Sequence, residues 1–457
     1  MQPPGALAAD DAALFTDLYE LTMAQGYFRQ GMSSEASFSL FVRPSRVRRS
    51  YLVSAGLDDV LRYLHDFRFT PSAIDYLRST GTFATDFLDF LAALRFTGRV
   101  RAIPEGRLYF HHEPVLEVTA PIIEAQIIET LVINQVNLQS LIATKAARCT
   151  WAACGRTLVD FSLRRAHGTD AGMKAARSSH IAGFASTSNV LAGRAYGLPI
   201  AGTMAHSYVT SFEREIDAFR AYAESFPDDT VLLIDTYDTI AAAHKAVTVG
   251  REMEAQGHRL RAVRLDSGDL LQLSREVRRI LDDAGLHYVR ILASGGLDEF
   301  SVDSLVREGA AIDAFGVGTR MAVSGDAPWL DAAYKLVRYA GRPVRKLSEG
   351  KESLPGEKQV FRLRGADGRL RGDVLALADE APPTPDAEPL LHTVMERGEP
   401  TSETPPLSVL RERFREEFEA LDERYKRLRR PARYPVRLGR GLQRLRQELS
   451  SQPESER

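Results

Sequence analysis

The chain contains 457 residues, 44% of them hydrophobic and 26% charged, which is typical of a folded protein with two domains or one large domain. Its 59 basic and 61 acidic residues give a formal net charge of -2 at pH 7, so no overall field favours nucleic acid or an anionic membrane as a partner. The chain has no apolar run of about 18 residues, carries the acidic residues Asp10 and Asp11 near its start and contains only two cysteines, which predicts a cytoplasmic protein without membrane spans.

Residues 1–119 are expected to form a first α/β domain. In residues 1–94, short apolar stretches alternate with helical patterns such as residues 55–67. Over residues 98–119 the pattern becomes strand-like, because apolar and aromatic residues stand among turn residues.

Residues 120–335 show a regular succession of apolar strands, each followed by a helical period. The predicted strands are residues 158–161, 199–203, 231–234, 263–265, 291–293 and 314–317. The predicted helices are residues 172–196, 212–225, 239–255, 270–284 and 298–308. Strands separated by helices pair in parallel through right-handed crossovers, so we expect a parallel sheet or a β/α barrel.

Residues 336–457 are expected to return to the first domain. A strand-turn-strand pattern covers residues 360–363 and 374–378, and an amphipathic helix is predicted from Leu410 onward. The residues after Pro431 are basic and are predicted to form a loose tail.

Polar or glycine-rich clusters follow almost every predicted strand of residues 120–335. In chain order they are Arg164-Arg165 with Gly168, His206, Asp235 with Asp238, Asp266-Ser267-Gly268-Asp269, Ser294-Gly295-Gly296 and Gly316-Val317-Gly318-Thr319. Ligand sites of parallel β/α folds lie at the carboxyl ends of the strands, where the loops converge. We therefore expect one site built from all of these clusters.

The last two clusters predict a phosphate site. A Gly-Gly or Gly-x-Gly-Thr loop before a helix exposes backbone N–H groups and allows a phosphate to approach closely. One such loop fits a tight turn equally well. Two of them on successive strands, with Gly295 and Gly296 in one and Gly318 and Thr319 in the other, favour a phosphate cradle.

Charged side chains at the same strand ends extend this predicted anion site. Arg164, Arg165 and Arg264 can each bind a carboxylate or a phosphate bidentately. Asp266 suits a ribose diol or a magnesium ion, whereas Asp269 fits equally well as the N-cap of the next helix.

His206 is a candidate nucleophile or general acid at the end of the second predicted strand. A histidine considered alone is more often a hydrogen-bonded structural group. Its position among the phosphate loops favours a chemical role, and Asp235 from the neighbouring strand is the expected carboxylate that orients its imidazole.

Seven runs of sequence, in order over residues 14–340, resemble the nicotinate phosphoribosyltransferases. They are TDLYELTMA (16–24), DFSLRRAHG (160–168), GFASTSN (183–189), GTMAHS (202–207), VRLDSGDL (263–270), ASGGL (293–297) and FGVGT (315–319). The resemblance implies an α/β fold: an irregular β/α barrel with an α/β sandwich domain, working as a head-to-tail homodimer with shared active sites.

The resemblance also implies a reaction. Nicotinate and phosphoribosyl pyrophosphate would give nicotinate mononucleotide and pyrophosphate, as in NAD biosynthesis, with coupled ATP hydrolysis and Mg²⁺ or Mn²⁺. His206 is similar to the histidine that ATP phosphorylates, Arg164 to an arginine that binds pyrophosphate or substrate, and Asp266 to a ribose-binding carboxylate. Phe161 and Tyr19 of the partner subunit would sandwich the pyridine ring. The remaining implied substrate-binding residues are Arg165, Ser186, Ser188, Thr203, Arg264, Gly295, Gly296, Gly318 and Thr319.

Ser188 discriminates between two substrates of this fold. The related nicotinamide phosphoribosyltransferases carry an aspartate there, which would repel nicotinate, whereas a serine hydroxyl can donate to a carboxylate. Nicotinate is therefore favoured over nicotinamide, and over quinolinate, which would need further basic residues. From a different class, an inactive nucleotide-binding β/α-barrel paralogue is disfavoured because His206, Asp266 and both phosphate loops are present.

Overall fold

The computed structural model describes residues 11–44, 49–346 and 352–451, which form two compact units. The central unit is the uninterrupted stretch Lys145–Asp326, and the flanking unit combines the chain before it with the chain after it. The central unit lies within the segment 120–335 that contains the predicted strand-helix succession.

Strands and helices make up most of both units. The strands are β1 Glu35–Arg43, β2 Leu52–Val53, β3 Arg99–Ala102, β4 Leu108–Tyr109, β5 Pro114–Pro121, β6 Thr157–Asp160, β7 Ser186–Thr187, β8 Val231–Leu233, β9 Ala262–Leu265, β10 Arg290–Ala293, β11 Ala314–Val317, β12 Asp331–Tyr339, β13 Arg342–Pro343, β14 Lys358–Arg364, β15 Leu370–Leu377, β16 Glu388–Pro389, β17 His392–Glu396, β18 Glu399–Pro400 and β19 Val436–Leu438. The helices are α1 Leu18–Arg29, α2 Leu57–His65, α3 Pro71–Ser79, α4 Thr85–Ala93, α5 Ile122–Ile127, α6 Glu129–Ala153, α7 Thr169–Ile181, α8 Val190–Tyr196, α9 His206–Thr210, α10 Glu215–Ser225, α11 Thr239–Ala255, α12 Leu270–Asp283, α13 Glu299–Arg307, α14 Thr319–Ala322, α15 Leu407–Ala420, α16 Glu423–Lys426 and α17 Arg440–Ser451, with 3-10 turns at Ala12–Leu14 and Leu163–Arg165.

The central unit is built on a parallel sheet in the order β7-β6-β11-β10-β9-β8. Val263, Leu265 and Phe315 on its strands are fully buried, as expected for strands covered by helices. The α/β class and the parallel sheet predicted from the sequence are confirmed, and α11 agrees with the predicted helix residue for residue.

Two predicted elements of the central unit differ from the structure. The predicted strand 199–203 is reduced to a single parallel bridge between Ile200 and Thr187. The predicted helix 172–196 is divided into α7, β7 and α8. Gly183 has a φ of 108°, which ends the helical path, and Asn189 starts α8 by accepting a hydrogen bond from the N–H of Ala192 at 3.0 Å.

The flanking unit joins the two ends of the chain in an antiparallel sheet of order β13-β12-β1-β5-β3-β17-β18. β1 lies between β5 and β12, so Phe41 pairs with Ala333. The rings of Phe38 and Tyr334 stack across this junction with centroids 4.8 Å apart. A smaller sheet, β16-β14-β15-β19, contains the strand-turn-strand that the sequence predicts.

The prediction of a loose tail after Pro431 is wrong. β19 pairs in parallel with β15, and Leu442 of α17 is fully buried. Tyr434 is also buried and donates a hydrogen bond to Asp373 at 3.1 Å, while Asp373 pairs with the buried guanidinium of Arg362 at 2.7 Å. The hydrogen bond to Asp373, which lies far away in the sequence, fixes the tail, and local composition does not predict such a contact.

The helices of the described part of the chain include none with the length and apolar character that a membrane span needs.

Candidate active site

A cavity of about 640 Å³ opens at the carboxyl ends of the strands of the central unit. Most of the residues predicted for the site line it: Phe161, Arg164, Arg165, Ser188, Thr203, His206, Arg264, Asp266, Gly295, Gly296, Gly318 and Thr319. Its wall also includes Ser294 and Gly316 of the two predicted glycine clusters, together with Gly202, Met204 and Ala205, which the sequence did not single out as ligand-binding. Of the other predicted residues, Asp235 and Ser186 lie in the central unit outside this wall and Tyr19 lies in the flanking unit.

The loop after β10 needs glycine for reasons of both conformation and space. Gly295 has a φ of 92°, and a Cβ atom at this position would lie 1.8 Å from the carbonyl oxygen of Asp266. Gly296 has a φ of 65°, yet a Cβ atom there would meet no atom within 4 Å. The backbone of this glycine loop therefore lies in close contact with the residue that follows β9, and glycine at position 295 permits that approach.

The loop after β11 is shaped by Phe161. A Cβ atom on Gly316 would lie 2.4 Å from the Phe161 ring, and one on Gly318 would lie 2.8 Å from the Phe161 carbonyl oxygen. The Phe161 N–H donates to the Val317 carbonyl at 2.9 Å, which fixes this contact. The aromatic ring and the glycine loop after β11 thus form adjoining walls of the cavity.

Asp266 is held by hydroxyl and backbone groups from neighbouring strands. One carboxylate oxygen of Asp266 accepts a hydrogen bond from the Ser294 hydroxyl. Asp235 accepts hydrogen bonds from the N–H of Asp266 at 3.1 Å and from the hydroxyl of Ser267. Asp235 therefore holds the turn that carries Asp266.

Arg264 concentrates positive charge in the cavity wall. Its Nη2 donates to the Met204 carbonyl at 2.8 Å, and its Nη1 lies 3.9 Å from Asp266 Oδ1. Burial lowers the pKa of Arg264, and the charge of Arg164 acts in the same direction. Since Arg164 and Arg165 project from the 3-10 turn after β6 into the same cavity, the site is suited to anions.

His206 is the first residue of α9 and is half-exposed in the cavity. Its Nδ1 lies 3.1 Å from the hydroxyl oxygen of Thr236, and its Nε2 lies 3.9 Å from Asp266 Oδ2. The hydrogen bond that the sequence assigns to Asp235 is made by Thr236 instead. Asp235 directly precedes Thr236, so the sequence predicted the correct strand end for the partner of His206 but the wrong residue.

Ser188 is positioned by the backbone of Asp160, a residue whose carboxylate is buried and hydrogen-bonded to its neighbours. The Ser188 N–H donates to the Asp160 carbonyl at 2.8 Å, and the Asp160 side chain accepts from Ser162 N–H at 2.9 Å and from the Thr187 hydroxyl at 2.7 Å. Burial raises the pKa of Asp160. Ser186, in β7, pairs with Val159.

Tyr19 belongs to α1 of the flanking unit, where its side chain is 48% exposed. The next residue, Glu20, is fully buried and accepts hydrogen bonds from the hydroxyls of Thr16 and Thr130. These two hydroxyls hold the start of α1 and leave the Tyr19 ring at the surface.

Three family models match the chain. The nicotinate phosphoribosyltransferase (NAPRTase) N-terminal domain matches residues 14–137, the NAPRTase family matches residues 156–349, and the C-terminal domain matches residues 384–446. The chain belongs to the nicotinate phosphoribosyltransferase family. The three matches cover both units, so the family assignment does not depend on the cavity residues alone.

Relatives of this family resemble the chain over nearly its whole length. The Mycobacterium tuberculosis nicotinate phosphoribosyltransferase pncB2 is 49% identical over 412 residues, which cover 90% of this chain and 87% of the relative. The Bacillus subtilis nicotinate phosphoribosyltransferase is 38% identical, over 94% and 93% of the two chains. The crystal structure of human nicotinic acid phosphoribosyltransferase matches with a TM-score of 0.85 at 33% identity, covering 95% of this chain and 99% of that chain.

Proposed function

We propose that the chain is a nicotinate phosphoribosyltransferase of NAD biosynthesis. It joins nicotinate to phosphoribosyl pyrophosphate, forms nicotinate mononucleotide and pyrophosphate, and couples the reaction to ATP hydrolysis. The observation that carries this proposal is the cavity at the strand ends, where two glycine loops, arginines, Asp266 and His206 face one space. Family membership over both units supports the same reaction.

The glycine loops are proposed to bind the 5-phosphate of phosphoribosyl pyrophosphate. The backbone N–H groups of Gly295, Gly296, Gly318 and Thr319 are suitable donors to phosphate oxygens. Asp266 accepts hydrogen bonds from the ribose hydroxyls in this arrangement. Its second partner, the Ser294 hydroxyl, keeps the carboxylate oriented toward the loop.

Nicotinate is proposed to bind with its ring against Phe161 and its carboxylate near the hydroxyls and guanidinium groups of the cavity. The groups proposed to recognise the carboxylate are Arg165, Ser186, Ser188, Thr203 and Arg264. Tyr19 of the partner subunit is proposed to cover the other face of the ring. The exposure of Tyr19 supports this role, because a ring already packed in its own subunit could not stack on a ligand.

The proposed transfer is a displacement at the anomeric carbon of the ribose. The pyridine nitrogen supplies the electron pair for the new C–N bond, and the C–O bond to pyrophosphate breaks, so pyrophosphate leaves with the bonding pair. Arg164 stabilises the negative charge that develops on the leaving group. Asp266 stabilises the positive charge that develops on the ribose.

ATP is proposed to phosphorylate His206. When Nδ1–H donates to Thr236, the lone pair remains on Nε2, which attacks the γ-phosphorus while the bond to ADP breaks. Water later hydrolyses the phosphoramidate to inorganic phosphate and returns the imidazole. Coupling requires that the phosphorylated enzyme binds phosphoribosyl pyrophosphate more tightly than the free enzyme does.

Magnesium or manganese is the proposed cofactor. No group of three or more His, Cys, Asp or Glu side chains in the described ranges is arranged to hold a metal ion. Asp266 nevertheless places a carboxylate in the cavity wall, which is the ligand type that Mg²⁺ prefers, together with substrate phosphates and water. These donors fit the ion. We propose that Asp266 and the substrate phosphates hold it, and that when bound it neutralises charge on the pyrophosphate.

The finer architecture is proposed from the same resemblance. The parallel sheet of the central unit, continued by the bridge at Ile200, is proposed to form an irregular β/α barrel, and the flanking unit an α/β sandwich domain. We propose a head-to-tail homodimer in the cytoplasm. The free thiols of Cys149 and Cys154 are compatible with that reducing compartment.

A pyrophosphate-release assay with nicotinate, nicotinamide and quinolinate side by side tests the reaction. We expect nicotinate to be the preferred substrate and its turnover to increase when ATP is added. Enzyme incubated with γ-labelled ATP should carry phosphate that is lost in acid and retained in base, and His206→Ala should carry none. Equal use of nicotinate, nicotinamide and quinolinate, or labelling of His206→Ala, would contradict the assignment.

Mixed dimers test the shared site. A chain with Tyr19→Ala and a chain with Arg164→Ala are each expected to be inactive, and mixing them should restore part of the activity, because each mixed dimer keeps one intact site. No recovery in verified heterodimers would mean that Tyr19 acts within its own chain or has no role in the site.

A further inference from the structure

The carboxylate of Asp298 connects the segments that follow the two proposed phosphate loops, namely α13 and α14. Asp298 follows the first loop and is the N-cap of α13, where its Oδ1 accepts hydrogen bonds from the N–H groups of Phe300 at 3.1 Å and Ser301 at 2.9 Å. Its Oδ2 accepts a hydrogen bond from Arg320 Nη1 at 3.0 Å. Arg320 directly follows Thr319 of the second loop. Each oxygen of Asp298 therefore holds the segment behind a different loop.

A buried second connection runs parallel to the first. Glu299, fully buried beside Asp298, pairs with Lys145 at 2.5 Å and with Arg148 at 2.9 Å. Lys145 also pairs at 2.6 Å with Asp326, which lies a few residues after α14. The side chains of Lys145, Arg148 and Glu299 are at most 3% exposed, so the pairs with Glu299 are formed away from solvent, whereas Asp326 is 24% exposed.

Neither member of the Asp298–Arg320 pair lines the cavity. The Asp298 side chain is 15% exposed, and its hydrogen bonds with Ser301 and Arg320 contribute to lowering its pKa despite burial. A carboxylate in this state would repel a phosphate if it faced one. Any effect of Asp298 on an anionic ligand must therefore act through the two loops.

We propose that Asp298 and Arg320 are positioning residues that set the separation of the two phosphate loops, so that both loops bind the same 5-phosphate group. This inference rests on the proposed function, since it assumes that the loops bind phosphoribosyl pyrophosphate. Backbone N–H groups bind phosphate well only at hydrogen-bond distance, and a loop displaced by about 1 Å loses much of that interaction. Loss of the Asp298–Arg320 pair should weaken the binding of phosphoribosyl pyrophosphate and leave the binding of nicotinate unchanged.

Two substitutions break the pair with little other change. Asp298→Asn keeps an oxygen that caps α13, because asparagine is also a good N-cap, and Arg320→Gln removes the cation. We expect each to raise the KM for phosphoribosyl pyrophosphate about three- to tenfold and to leave the KM for nicotinate within about twofold. The double variant should be no worse than either single one, and Arg320→Lys should recover most of the affinity.

Arg307→Gln is the matched control. Arg307 pairs with Asp303 at 2.8 Å on the same helix, and its side chain is 76% exposed. Its loss should leave both KM values unchanged. A parallel rise of both KM values together with a lower Tm in Asp298→Asn would indicate a merely structural role and overturn the proposal.

Calorimetric titration with ribose 5-phosphate separates this proposal from the reaction. If the wild type binds ribose 5-phosphate and both variants bind it more weakly, the positioning role holds even when no nicotinate mononucleotide is formed. In that case only the proposed function falls. If the wild type is active and both variants bind ribose 5-phosphate as tightly as it does, the positioning role is wrong and the reaction stands.

Discussion

The Nδ1 atom of His206 lies 3.1 Å from the hydroxyl oxygen of Thr236, so a hydroxyl orients the imidazole where the sequence suggests a carboxylate. A neutral partner stabilises an imidazolium less than a carboxylate does, and because a hydroxyl can donate or accept, it can pair with either tautomer of His206. The opposite nitrogen, Nε2, is then directed toward Asp266.

Removing the Thr236 hydroxyl should slow phosphorylation of His206. Thr236→Val keeps the shape of the side chain and loses the hydrogen bond, and we expect acid-labile labelling by ATP to become about tenfold slower. Thr236→Ser keeps the hydroxyl and should label at nearly the wild-type rate. If Thr236→Val labels as fast as Thr236→Ser, the hydroxyl has no part in orienting the imidazole.

Alanine at the two adjacent glycines of the first loop should have unequal effects. Gly295→Ala forces a Cβ atom against the Asp266 carbonyl, so the loop must move, and we expect a loss of about 3 kcal/mol of stability with a large rise in the KM for phosphoribosyl pyrophosphate. Gly296→Ala meets no neighbouring atom and should cost about 1 kcal/mol from its positive φ alone. Urea unfolding and initial rates measure both effects. Equal losses in the two variants would contradict the steric argument.

Substrate preference should depend on Ser188. Ser188→Asp introduces a carboxylate near the proposed position of the nicotinate carboxylate, so kcat/KM for nicotinate should fall by roughly tenfold to a hundredfold, while nicotinamide is less affected. Ser188→Asn adds a polar side chain of the same size without the charge. Competition assays with both substrates measure the preference, and a similar loss in both variants would show that the effect is steric.

The stability of α1 should depend on pH through Glu20. Burial raises the pKa of Glu20 from 4.5 to about 7, so the folded protein favours the protonated form. The stability that this proton contributes is present below about pH 4.5, decreases as the pH rises and is lost above about pH 7. Between pH 5 and pH 8 we expect the wild type to lose about 2 kcal/mol more unfolding free energy than Glu20→Gln. Urea titrations at the two pH values measure this, and identical losses would mean that Glu20 is ionised throughout.

The periodicity of the sequence was sufficient to predict the central sheet because its strands are short, apolar and regularly followed by helices. Strand Ala314–Val317 and helix Thr239–Ala255 agree with the prediction at both ends. The predicted strand at 199–203 failed because it has one bridging residue, Ile200, and no ladder. Whether an apolar stretch finds a complete pairing partner depends on tertiary contacts, which local pattern does not contain.

The candidate site was predictable as a set of strand ends, and less so as a set of contacts. The position of Asp266, His206 and the glycine loops on one face follows from the parallel sheet. That Thr236 and not Asp235 is the partner of His206 could not be predicted in this way, because both residues follow β8 and only the directions of their side chains distinguish them. The fixed tail was missed for a similar reason, since Asp373 is far from Tyr434 in the sequence.

The division of the chain into an uninterrupted central unit and a flanking unit made from both ends has a consequence during synthesis on the ribosome. Every residue that lines the cavity, from Phe161 to Thr319, has been synthesised before β12 is made. β1, by contrast, emerges early and must wait for β12, one of its two partners, until nearly three-quarters of the chain has been translated. The parallel sheet can therefore begin to assemble co-translationally, while β1 stays half-paired and exposed to aggregation and to chaperones until β12 is made.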